Sequence, residues 1–320
     1  MYSRLQIARK YFRYYLTAKN GKGHGVHSPF VYDFIRHVLN DRRRPAVWER
    51  IERLRARLLK DDTWLEVEDM GAGSSVSKGR RRRVGEIARH AAKPAKLGRL
   101  LFRIARYYRC ERIVELGTSL GLSTAYLASG AEEGAREGET SAGENLATNA
   151  GEPDLTEAGG NGADLATNVS EADLTGEDKR GAVTGSDSVR VWTIEGAAAV
   201  ASVAARNFQE LGLEHVELVV GNFDGRLNEV LDRAGTVDLV FVDGNHRLEP
   251  TLRYFHQIME RCAPGAILIF DDVHWSVEME EAWEKIRQDP RVYMTIDLFF
   301  IGLVVMREEF KVKQHFSIRF

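Results

Sequence analysis

Residues 112–128, RIVELGTSLGLSTAYLA, place a strand, a glycine-rich turn and a helix in direct succession. Ile113, Val114 and Leu116 put apolar side chains on both faces of the run Arg112–Leu116, as suits a strand covered on both sides. The turn Gly117-Thr118-Ser119-Leu120-Gly121 follows Glu115 at the strand end. Its glycines permit a tight bend and close backbone approach, and the next helix offers its N-terminal amides to a ligand. Alone this device is shared by several nucleotide and flavin sites.

The next strand narrows the reading. VRVWTIEG (189–196) carries Glu195 at its carboxyl end, where a carboxylate can accept both hydroxyls of a ribose. Glu195 stands 78 residues beyond Gly117, but removing the 57 residues 131–187 leaves 21, close to the ~20 such a constellation requires. Those 57 residues hold no aromatic side chain and repeat LATNAGEPDLT (146–156) as LATNVSEADLT (165–175). They bury too little apolar surface to offset the entropy of ordering, so they read as a disordered acidic insertion. Two weakly apolar copies cannot form a solenoid core.

Beyond the insertion the strands VELVVGN (216–222), VDLVFVDG (237–244) and AILIFDD (266–272) alternate with helical segments. IDLFFIGLVVMR (296–307) closes the series with strand character. Alternation of this kind predicts an α/β architecture, doubly wound, with a mostly parallel sheet between helical layers. Ligands should sit beyond the carboxyl ends of its strands. Residues 1–95 read as a helical, basic extension or cap, and 96–320 as the domain that 131–187 interrupts. Within the extension, KGHGVHSPF (22–30) is a glycine-rich turn ending in Ser28-Pro29, a helix start signal. It reads as a lid, a pocket wall or a structural turn. VEDMGAGSS (67–75) is a second glycine loop, but SKGRRRRVGEIARH follows it and no acidic strand end lies at the right distance. It reads as a loop near the site or a structural turn.

Charge is unevenly spread. Residues 1–112 carry 28 Lys+Arg against 11 Asp+Glu, whereas 131–187 carry 3 against 14. The basic half suits either anionic partners or solvated helix faces packed on a more acidic partner. Cys110 and Cys262 give no disulfide framework and no metal-ligand spacing, and both read as core residues. With no long apolar run and no signal-peptide pattern, a cytoplasmic chain with no membrane partner is expected.

ELGTSLGLSTAYLA, TIEG and FVDGNH together resemble the class I S-adenosylmethionine (SAM)-dependent methyltransferases, and within them the catechol O-methyltransferase-like, metal-dependent branch. The likeness covers roughly residues 96–130 and 188–307. HGxHSPFxYDF in the extension resembles a bacterial subgroup of such enzymes. The resemblance implies a Rossmann-like, seven-stranded sheet. It further implies that Glu115, Gly117, Ser119 and Gly121 surround the methionine part of SAM, that Glu195 holds the ribose, and that Gly221-Asn222-Phe223 flank the adenine. Thr118, Ser123, Gly196 and Asp243 complete the expected cofactor contacts.

Asp243 ends one strand, and Asp271 and Asp272 end the next. Carboxylates converging there repel one another, which a hard divalent cation relieves. Alternatively, Asp271 caps the next helix and Asp243 serves only in hydrogen bonds. In the resembling branch the corresponding positions bind Mg²⁺ or a similar ion, which lowers the pKa of a substrate hydroxyl. His246 falls where a general base would take the hydroxyl proton. Leu248 replaces a tyrosine common in that branch, and His274 and Trp275 are candidate pocket walls. The leading expectation is metal-assisted O-methylation of a small hydroxylated acceptor. An RNA or tRNA methyltransferase using the basic half, and a SAM-binding regulatory protein without turnover, are the alternatives. Homodimer formation is left open.

Overall fold

A computed structural model describes residues 1–23, 27–67, 81–149 and 188–320. The acidic repeats and the VEDMGAGSS loop therefore lie largely outside the described residues, as does His24 of the KGHGVHSPF turn.

The anticipated alternation forms one eight-stranded sheet, with strand order β10-β8-β9-β7-β6-β3-β4-β5. Its parallel body comprises β3 (Arg112–Leu116), β4 (Arg190–Glu195), β5 (Val216–Val220), β6 (Val237–Val242) and β7 (Cys262–Asp271). β9 (Ile301–Val305) lies antiparallel between β7 and β8 (Met294–Asp297). β4 and β5 are laid down on one side of β3, and β6 then returns to its other side. This reversal opens the crevice in which doubly wound sheets bind ligands. Helix α6 (Leu122–Asn149) follows β3, and α7 (Ala198–Leu211), α8 (Phe223–Ala234) and α9 (Leu248–Met259) follow β4, β5 and β6.

Strand periodicity divides the core. Ile113 points to the side packed by α5 (Ala95–Tyr107) and α6, whereas Val114 and Leu116 point to the side packed by α8 and α9. In the extension, helices α2 (Pro29–Phe34) and α3 (Ala46–Leu58) bury Phe30, Phe34, Ile51 and Leu54 in the first of these layers. Ser28 caps α2 by accepting from the Val31 amide, with Pro29 in its first turn, as the sequence signal predicts.

Three sequence expectations are corrected. The apolar run 296–307 is two strands, not one, because the chain turns at Leu298–Phe300, where Phe299 adopts φ +72°. The eighth strand, β10 (Gln314–Ser317), is added by the C-terminal tail alongside β8. Finally, α6 continues past residue 131 into the segment assigned to the insertion. Ala131 is fully buried, and the buried Arg106 guanidinium of α5 faces Glu133 at 3.6 Å and Glu137 at 3.3 Å. Gly134 allows this approach, since a Cβ there would lie 2.5 Å from the Arg106 carbonyl oxygen.

The arginine run also has a structural use. Arg81–Arg83 forms β2, paired antiparallel with β1 (Trp64–Glu66), and the Arg81 and Arg83 guanidinium groups lie 5.6 and 4.9 Å from the Trp64 ring centroid.

Candidate active site

The glycine turn and the end of β4 form the first half of the site. Gly117 adopts φ +106° and Gly121 φ +82°, conformations that L side chains rarely adopt. The Gly117 and Thr118 amides donate to the Ile194 carbonyl at 3.0 and 3.1 Å, fastening the turn to β4. Ser119, at φ +49°, donates its amide to Glu195 Oε2 at 2.8 Å, while Glu195 Oε1 accepts from the Ala197 amide at 3.0 Å. Burial raises the Glu195 pKa, and the amides of Ala197, Ser119 and Gly196 oppose the shift.

Glu115 is fully buried beneath this turn. Its Oε2 accepts from Thr193 Oγ1 at 2.7 Å and from Thr124, and the nearby Ser123 hydroxyl also favours its charged form. Burial pushes its pKa up to about 7 against those bonds. The Thr118 hydroxyl pairs with Thr193 at 2.5 Å. Thr118 and Ser123 thus use their side chains to brace the turn from below. Two buried oxygens here have no partner among the described residues: Glu115 Oε1 at the end of β3 and Ser119 Oγ in the turn. Such atoms are costly to leave unmade and mark where a polar ligand fits.

Across the sheet, Gly221 at φ +145° donates its amide to the Glu195 carbonyl at 2.9 Å. Asn222 caps α8 through the Asp224 amide, and the Phe223 ring meets Tyr254 edge-on at 6.0 Å. Gly244 packs against the Phe223 ring, which a Cβ would approach to 2.5 Å. The stretch expected to flank an adenine therefore abuts the strand end that carries Asp243.

The second half of the site is a carboxylate cluster. Asp243 follows β6 and Asp271 ends β7, with Asp272 next to it at φ +55°. Ligand atoms of Asp243, His246 and Asp271 all lie within 4.8 Å of one another. Asp272 falls outside this triple, with its Oδ2 4.0 Å from His246 Nε2, so His246 takes the place expected for Asp272. His246 Nε2 also stands 3.7 Å from Asp243 Oδ1. Burial pushes its pKa down to about 4; the Lys93 ammonium works the same way and Asp271 opposes it. At neutral pH the imidazole is uncharged and able to accept a proton.

Sequence reasoning missed Lys93. From the loop joining α4 (Val84–His90) to α5, its ammonium lies 2.8 Å from Asp243 Oδ1 and also contacts Asp271 Oδ2. Pro94 follows directly, and a residue before proline favours extended backbone. Burial alone would lower its pKa, but Asp243, Asp271 and Asp272 more than offset this and hold it above the ordinary lysine value. Burial raises the pKa of Asp243, and that of Asp272 to about 7, with Asp271 adding to both. The expected divalent ion thus meets an ammonium at the point between Asp243 and Asp271. Lys93 Nζ occupies the point at which an ion bridging Asp243 and Asp271 would sit, so such an ion would have to displace it. As arranged, the cluster does not fit a divalent ion in addition to Lys93.

His274 is held by Glu280 at 3.1 Å and Asp297 at 2.9 Å, and its ring stacks on Phe299. The first helix, α1 (Arg4–Thr17), is tied to the same place. Lys10 reaches Glu280 at 2.9 Å, and the Tyr14 hydroxyl donates to the Asp297 carbonyl at 2.9 Å. His274 is therefore a structural clasp for the extension beside the cluster, and Tyr2 donates its amide to the Trp275 carbonyl at 3.0 Å. His27 is exposed and belongs to no cluster of potential metal ligands among the described residues.

Residues 114–273, half of the 320-residue chain, match the family described as a methyltransferase domain. The chain belongs to that methyltransferase family. The match begins in β3 and ends just beyond Asp272, so it spans the glycine turn, Glu195, Asp243 and the carboxylate pair. Among curated proteins none matches the chain. Solved structures resemble it distantly. An O-methyltransferase from Bacillus cereus in complex with SAH is 17% identical, covers 86% of this chain and 97% of its own, and has a TM-score of 0.45. TomG, an O-methyltransferase from Streptomyces achromogenes in complex with SAM, is 21% identical over 68% of this chain and 82% of its own, at 0.44. Cofactor-bound Rv0187 from MTB is 20% identical over 69% and 84%, at 0.45. Lys93 lies outside the matched stretch, in the segment that precedes it. No helix among the described residues is long and apolar enough to cross a membrane.

Proposed function

We propose that this methyltransferase transfers the methyl group of SAM to a hydroxyl oxygen of a small acceptor. The observation that carries the reading is Glu195, whose carboxylate lies beside the strained turn at Ser119 and next to the unpartnered Ser119 Oγ. A carboxylate at this strand end accepts the two hydroxyls of a ribose. SAM supplies an electrophilic methyl carbon on a sulfonium leaving group, so the protein is left to align and deprotonate the nucleophile.

His246 is placed for the second task. Its imidazole is neutral at physiological pH, lies at the carboxyl end of the sheet, and faces Asp243 and Asp272. It accepts the acceptor's hydroxyl proton as the oxygen attacks, and Asp271 opposes the burial that disfavours the imidazolium. Metal assistance, implied by the resemblance, is set aside because Lys93 stands between its ligands.

Isothermal titration calorimetry with S-adenosylhomocysteine, on wild type and Glu195→Ala, tests the cofactor reading, and a panel of hydroxylated acceptors tests the transfer. One saturable site, weakened by Glu195→Ala, is expected. His246→Gln should lower kcat by roughly 10²–10⁴-fold with cofactor affinity unchanged. Absence of cofactor binding by the folded wild-type protein would refute the proposal.

A further inference from the structure

Three carboxylates at neighbouring strand ends demand a cation, and one is already built into the chain. Lys93 Nζ lies 2.8 Å from Asp243 Oδ1 and touches Asp271 Oδ2. Asp271 is 1% exposed, Asp243 10% and Lys93 15%, counted on the side chains, so the group is shielded from bulk solvent. The contact joins residues 178 positions apart, which only the folded chain brings together. It also links the helical extension to the catalytic end of the sheet through a loop held short between α4 and α5.

We infer that the Lys93 ammonium is the resident cation of this cluster, replacing a divalent metal in the methyl-transfer reaction. An ammonium has three donors. Two are engaged by Asp243 and Asp271; the third, without a hydrogen-bond partner among the described residues, holds the acceptor oxygen and balances the negative charge that develops as His246 removes its proton. The transfer then balances without a metal. The C–O bond forms as the C–S bond breaks, the sulfur keeps the electron pair of that bond, and the hydroxyl proton leaves on His246. The role in turnover rests on the methyltransferase reading, but occupation of the cluster by Lys93 does not.

Titration of the full-length protein with Mn²⁺ alone, followed by electron paramagnetic resonance of the free ion, separates the two. The readout needs neither cofactor nor acceptor, so it stands even if the methyltransferase reading fails. Wild type should show no saturable Mn²⁺ site at the cluster. Lys93→Met, similar in length but uncharged, should bind one Mn²⁺ at least on the order of 100-fold more tightly, and Asp271→Asn on that background should abolish it. Once an acceptor is found, wild-type turnover should be unchanged by EDTA, and Lys93→Met should lower it. A wild-type Mn²⁺ site lost in Asp271→Asn would overturn the inference, and that measurement needs no folded Lys93 variant. A folded Lys93→Met protein that binds no Mn²⁺ would overturn it too, because carboxylates freed of the ammonium would then show no demand for a cation.

Discussion

Gly117→Ala tests whether the turn after β3 is what joins the two halves of the site. At φ +106° an alanine carries backbone strain of about 1–3 kcal/mol. Its Cβ would also stand 2.9 Å from the Asp243 carbonyl carbon and nearer still to the oxygen, a separation real Cβ atoms essentially never show. Neither partner is a flexible side chain. The end of β6 must therefore move, which adds an overpacking term of about 1–3 kcal/mol. It also weakens the hydrogen bond from the Asp243 amide to the Leu116 carbonyl, 2.8 Å long, by about 1 kcal/mol. The sum is about 3–7 kcal/mol, a large share of the 5–15 kcal/mol that holds a typical domain folded. Urea unfolding of wild type and variant measures it. Gly225→Ala is the control: it lies in α8 with no atom within 4 Å of the added Cβ, so it should be neutral or stabilising by up to about 1 kcal/mol. Because Asp243 moves, S-adenosylhomocysteine affinity should fall with stability in Gly117→Ala only. Equal unfolding midpoints for the two variants would refute the reasoning.

Two further perturbations read other parts of the structure. Arg106→Met removes a guanidinium that is 1% exposed and lies 2.6 Å from Asp41, so Asp41 keeps only the exposed Arg43 and α6 loses its ion pairs to α5; urea unfolding should show a loss of about 3–5 kcal/mol. Glu115 makes stability fall as pH rises: its folded pKa of about 7 exceeds the 4.5 of the free side chain, so the folded state binds the extra proton between those values. The difference corresponds to about 3 kcal/mol, fully present below pH 4.5 and lost as the pH passes through 7. Glu115→Gln should flatten this dependence between pH 5 and 8 in urea titrations, and an unchanged slope would contradict the burial argument.

The parallel body of the sheet is legible because each strand is a short apolar run closed by a glycine or an acid, and helices separate them. The turn inside 296–307 is not, because the residues that make it, Leu298 and Phe299, are themselves buried and apolar. Phe299 stacks on His274 and meets Tyr11 edge-on, so its turn position is rewarded by contacts with the distant α1 rather than by any local signal. The start of the insertion was hidden in a related way. Composition shifts at 131, yet Glu132, Glu133 and Glu137 are surface acids of a packed helix, and they face His215, Arg106 and Arg43.

The meeting of the glycine turn with Glu195 was legible, since they close two strands that pair side by side. The acceptor half could be read only as a demand. Asp243, Asp271 and Asp272 at adjacent strand ends require positive charge, and a bare sequence cannot say whether it arrives as an ion or as a side chain. Within 28 Lys+Arg of residues 1–112, nothing local distinguishes Lys93 from its neighbours except the proline after it. Burial makes the distinction. A lysine in solvent contributes little to a carboxylate cluster, whereas one held among three aspartates leaves them only partly paired if it is removed. The basic extension thus delivers one of its charges inward, to the carboxylates at the strand ends.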